Sequence, residues 1–145
     1  MAGSSARELD ALAIKHLEFL QTVINRLSHE IFAYKGWAVT LIVVLFAIAA
    51  ASRNGLVVPI AMVPALAFWG LDALTLRQQR MYRAMYDAVR DGSADAFEGG
   101  PLSMDSDPYA EQVAAWWRTL LARSVAVPYG MLVALTWAVI AFTFP

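Results

Sequence analysis

Asp72 is the residue of this 145-residue chain best placed to do chemistry, because it stands where charge is least expected. The run from Leu56 to Leu76 is otherwise uncharged and apolar, and Asp72 lies five residues before Arg77. At helical rise that is about 7 Å inside the end of the run. An ionisable group at such depth in lipid is unfavourable by roughly a few kcal/mol unless it meets protein, water or an opposite charge. Two roles follow. In one, Asp72 pairs with Lys35, or accepts a hydrogen bond from Trp37 or Thr40, and locks two helices together. In the other, copies of Asp72 from identical protomers form a ring that lines a cation path. The shallow depth favours the first, since a charge near an interface can reach towards water.

The other candidates carry weaker signals. Arg77, Arg80 and Arg83 follow the apolar run and are expected to contact anionic lipid heads, at about 1 kcal/mol per charge. A soluble anion such as a nucleotide is the less favoured ligand for that row. Met81/Met85 and Tyr82/Tyr86 read as helix packing. His16 and His29 are thirteen residues apart and point roughly 140° from each other on a helix, so they cannot share a metal within it. Both are expected to be solvated. There is no cysteine, which removes disulfides, thiol catalysis and thiolate metal sites. No phosphate loop, nucleophile elbow or serine–histidine–acid set is present, so no enzyme, metal or cofactor is expected. The 11 basic residues are scattered and the net charge is −1, which leaves no footprint for nucleic acid.

The elements that must position these residues are three apolar runs, 36–52, 56–76 and 125–144. Each is close to the ~20 residues that cross a hydrocarbon layer of ~30 Å as a helix. Apolar residues make up 59 % of the chain and charged ones 16 %, too few to cover a soluble core of this size. An all-α, multi-pass membrane protein is the expectation, as a single membrane domain over 1–145. The N-terminal 35 residues interleave four basic and four acidic residues with apolar ones, so they do not read as a cleavable signal, and the first span should persist. Polar residues in the spans are few (Thr40, Asp72, Thr75, Thr136, Thr143), so any pore must be narrow or closed at rest.

Residues 5–34 read as a long amphipathic helix with Leu9, Leu12, Ala13, Leu17, Leu20, Val23, Ile24, Leu27 and Ile31 on one face. It can continue into the first span, bend at Gly36, or lie on the membrane. Arg26 and Glu30 are spaced for a helical ion pair, as are Arg83 and Asp87. Ser52-Arg53-Asn54-Gly55 has turn composition and should close a hairpin of spans one and two, with small residues (Ala47, Ala49, Ala50, Ala51, Ala65, Ala67, Gly70) letting helices approach. Pro59 and Pro64 fall in span two and Pro128 in span three, where each is expected to kink its helix. Residues 77–123 should hold a helix to Arg90, a loop through Pro101, and a second helix from Asp107-Pro108 to Arg123. Ten basic residues flank the N-terminal arm and the 77–123 segment; only Arg53 lies on the other side. The positive-inside rule therefore places both stretches in the cytoplasm and the C-terminal Phe144-Pro145 outside. Interfacial aromatics fit that orientation: Tyr34, Trp37, Trp116 and Trp117 at the inner edge, Phe142 and Phe144 at the outer.

Three strings carry a resemblance: Phe19-Leu-Gln-Thr-Val-Ile-Asn-Arg26 leading to Lys35-Gly-Trp-Ala-Val-Thr-Leu41; Phe68-Trp-Gly-Leu-Asp72 with Leu76-Arg-Gln-Gln-Arg80 and Tyr86-Asp87; and Leu102-Ser-Met-Asp105. They resemble a largely uncharacterised group of small, three-span bacterial inner-membrane proteins. The layout of a span hairpin followed by a charged cytoplasmic helix also looks like the SLATT-type membrane effectors of bacterial conflict systems, from which this chain departs by its third span. That likeness implies a homo-oligomeric pore or membrane-disrupting effector in bacterial defence. The alternative is a non-catalytic membrane anchor or accessory subunit that docks a cytoplasmic protein. Membrane lipids are partners in either case.

Overall fold

The computed structural model describes residues 2–52, 57–92 and 102–143. The expected turn at Arg53-Asn54-Gly55, the loop from Ser93 to Pro101 and the Phe144-Pro145 end lie outside the described residues, as does the side chain of Leu9. Regular structure among the described residues is helical, with no strand. The elements are α1 (Ala2–Ser52), α2 (Val57–Ile60), α3 (Met62–Arg90), a 3-10 turn (Asp107–Tyr109), α4 (Trp116–Leu120) and α5 (Arg123–Thr143).

Of the three courses open to residues 5–34, the helix takes the first. α1 is unbroken over 51 residues, about 75 Å at helical rise. It contains no proline, and a side chain at Gly36 would meet only open space, so nothing there demands a bend. Span two does break. Pro64 has no N–H for the Ile60 carbonyl and its ring crowds that oxygen. The helix accordingly stops at Ile60, and the Ala61 N–H turns back to the Val58 carbonyl at 3.0 Å before α3 begins. Pro128, by contrast, lies within α5 and does not divide it.

The expected helix from Asp107 to Arg123 is not one helix. The Asp105 carboxylate, not that of Asp107, takes the capping role and accepts the Asp107 N–H at 3.0 Å. The 3-10 turn that follows buries Tyr109, and Ala115 is extended (ψ 152°) ahead of α4. Burial of one aromatic ring outweighs the helix propensity of the segment.

The chain divides into two compact units, Met1–His29 with Leu76–Ala114, and Glu30–Thr75 with Ala115–Pro145. In the first, Leu20 of α1 packs with Met81, Met85 and Val89 of α3, and Tyr109 closes that core with Met104 and Val113 beside it. Polar side chains tie these segments through main-chain oxygens. Gln79 is buried and donates from Nε2 to the Ile24 carbonyl (3.3 Å) and to Ser28 Oγ (2.5 Å). Arg77 Nη2 reaches the Ala110 carbonyl at 3.2 Å, and the Tyr82 hydroxyl the Met104 carbonyl at 3.4 Å. α3 ends at Arg90, and Gly92 takes the left-handed conformation (φ 69°) that such a terminus favours. Asp87 pairs with Arg90 at 3.1 Å and not with Arg83.

In the second unit, Ile42 packs on Ala61 and Ala65, with Leu132 and Val133 of α5 alongside. Of the small residues expected at contacts, Ala49 and Ala65 are buried, whereas Ala47, Ala50, Ala51 and Ala67 are exposed. The outward faces are apolar: Val43 and Ile48 on α1, Val63 and Leu66 on α3, Met131 and Leu135 on α5. Three helices are long and apolar enough to cross a membrane, and only 11 %, 33 % and 17 % of their most apolar windows are buried. A water-soluble fold would place such surface inside.

His16 is not solvated. It is wholly buried on the same face as Leu20 and Ile24, and neither ring nitrogen has a hydrogen-bond partner among the described residues. A buried polar group without a partner is destabilising by about 1–3 kcal/mol. His16→Leu, close in volume, is therefore expected to raise stability by about 1 kcal/mol, read from thermal unfolding in detergent.

Candidate functional site

Asp72, on α3 in the second unit, has no solvent-exposed surface. Its Oδ2 accepts from the Lys35 ammonium of α1 at 2.5 Å, and the lysine side chain is 27 % exposed. The long stem of the lysine brings its ammonium to an enclosed carboxylate while the side chain stays partly exposed. Both charges are held within one protomer.

A third helix joins at the same place. Tyr129 of α5 is fully buried. Asp72 Oδ1 and the Tyr129 hydroxyl are each buried without a hydrogen-bond partner among the described residues. The Tyr129 ring stacks on Trp69, one turn before Asp72, with centroids 6.3 Å apart and planes 7° from parallel. Trp69 Nε1 donates to the Leu120 carbonyl at 2.9 Å. Leu120 is the last residue of α4, where an orphan carbonyl needs an outside donor. Tyr34 and Phe68 add a tilted aromatic contact, centroids 6.1 Å apart. One constellation therefore fastens α1, α3, α4 and α5.

Among the residues the sequence nominates here, Lys35 and Asp72 meet, whereas Trp37 and Thr40 stand apart from them. Trp37 is 60 % exposed, and the exposed Thr40 hydroxyl is spent on the Gly36 carbonyl of its own helix. Of the arginine row, Arg77 is drawn into the first unit, where its Nε is buried without a partner; Arg83 is exposed and Arg80 half-buried. Sequence reasoning missed Trp69 and Tyr129. The signals were there: Trp69 is three residues from Asp72 and shares its helix face, and Tyr129 puts a hydroxyl in an otherwise uncharged span.

No group of three or more potential metal ligands occurs among the described residues. The Asp72 carboxylate is enclosed, and its contact with the Lys35 ammonium ties α3 to α1. No family model, curated protein or solved structure matches the chain.

Removing one partner of an enclosed ion pair leaves the other charge uncompensated, at about 3–5 kcal/mol. Lys35→Met and Asp72→Leu should each lower stability by that order, and the double variant should recover most of the loss in a thermal-unfolding cycle. Tyr129→Phe removes a hydroxyl that has no hydrogen-bond partner and should change stability by less than about 1 kcal/mol. A large loss from Tyr129→Phe would show that the hydroxyl does bond Asp72.

Proposed function

We propose that this chain is a non-catalytic integral protein of the bacterial cytoplasmic membrane, an anchor whose spans hold one another in fixed register and carry the 77–123 segment to a cytoplasmic partner. The observation that carries this reading is the enclosure of the Lys35–Asp72 pair within one protomer. The one acidic group of the spans is consumed by a helix-to-helix contact and leaves no charge facing a shared axis. The outward faces of the spans are apolar, as lipid-facing surface must be. The charge distribution supports an orientation with the N-terminus inside and the C-terminus outside. Exposed Trp37, Trp116 and Trp117 suit the headgroup layer, with Arg118 stacked over Trp117 at 5.1 Å.

A homo-oligomeric pore, with its role in bacterial defence, has less support: a ring of Asp72 side chains would require each to leave its lysine. The two readings separate in one experiment. Purified protein in liposomes is expected to conduct no ions, and Asp72→Asn to leave the flux at background. Flux from the wild type that changes on Asp72→Asn would establish the pore instead. The chain has no cysteine, so single cysteines placed at Arg90 and Ala141 can be labelled without background. In intact cells the reagent should reach position 141 and not position 90.

A further inference from the structure

A polar cleft of about 270 Å³ opens in the first unit, between α1 and α3. It lies outside the Lys35–Asp72 site. Its α1 wall presents Gln21 and Asn25, one turn apart, and its α3 wall presents Arg83 and Tyr86. These four side chains supply amide, guanidinium and phenol donors from both sides, and none makes a hydrogen bond or ion pair among the described residues. Their situation differs from that of Ser28 at the cleft margin, whose hydroxyl is already engaged with Gln79 and the Ile24 carbonyl. Asp87 bounds the far end and is paired with Arg90 at 3.1 Å.

We infer that this cleft binds an anion carrying a phosphate group, with Arg83 as the charge partner and Asn25, Gln21 and Tyr86 as the neutral donors. A guanidinium offers paired N–H groups that match phosphate oxygens, and amides on the facing helix complete the shell. Asp87 limits the charge that the cleft accepts and turns the phosphate towards Arg83. A soluble phosphate compound and a lipid headgroup would offer the cleft the same group, and the two arms of the test tell them apart.

The test uses the full chain in phosphatidylcholine nanodiscs, titrated with inorganic phosphate against chloride at equal ionic strength, with binding read from thermal shift and calorimetry. Phosphate should bind saturably. Arg83→Gln should weaken it about tenfold, the loss of one charge-assisted contact. Arg80→Gln, the same charge change outside the cleft, should leave it within about twofold, and Asp87→Asn should tighten it by removing a like charge. Arg83 is exposed and unbonded, so its variant should keep its helical circular dichroism; Asn25→Leu is an independent second lesion expected to weaken binding. A second arm replaces phosphate with phosphatidylglycerol in the disc. Stabilisation there, lost in Arg83→Gln, with no response to free phosphate, would keep the site and make a headgroup its ligand. Equal behaviour of Arg83→Gln and Arg80→Gln in both arms, or a phosphate response no larger than that to chloride, would overturn the inference.

Discussion

A carboxylate sealed among apolar helices is tolerable only while an ammonium stays beside it, and the helix arrangement of the second unit depends on that condition. Asp72 has no solvent-exposed surface, and the charge beside it is that of Lys35. Moving two such charges out of water is itself unfavourable, and apolar residues of the same shape could fill the space at least as stably. What such a pair can contribute is specificity. Apolar helix faces have little to choose one neighbour over another, and small or apolar faces can slide. A charge at position 35 that must find one at position 72 removes that freedom: only one register of α1 against α3 satisfies both.

The same logic recurs in the first unit in uncharged form. Gln79 is buried between α3 and α1 and places its amide on the Ile24 carbonyl and the Ser28 hydroxyl. Asp72, Thr75 and Gln79 fall three and four residues apart, so α3 carries a single buried polar stripe through an otherwise apolar face. Asp72 and Gln79 each meet a partner on α1, Lys35 and the Ile24–Ser28 turn respectively.

Much of the helical layout was legible in sequence because the period of an apolar face and the length of an apolar run follow from helical geometry. The apolar face through Leu20, Ile24 and Leu27 lies buried as its spacing requires. Two departures share one cause. By residue type His16 is expected in solvent, and a cap followed by proline predicts one helix over 107–123. Tertiary burial decided otherwise in both cases, of an imidazole in the α1 face and of Tyr109 against Met81 and Met85. At the site, residue type and depth singled out Asp72 and Lys35. Trp69 and Tyr129 were not singled out, because an aromatic residue in a span looks like lipid-facing surface until its neighbours are known.

Three side chains that fasten the chain — Trp69, Arg77 and Tyr82 — share one habit: each binds a main-chain carbonyl, of Leu120, Ala110 and Met104 respectively. A carbonyl is the same whatever side chain follows it. The ties therefore constrain the donors, whereas the side chains of the residues they grip answer only to packing, as Met104 and Ala110 do beside Tyr109. Sequence drift at 104, 110 and 120 can proceed without breaking these ties, and paired substitutions across them should leave no covarying trace. A protein held together this way can diverge from its kin in composition while keeping its shape.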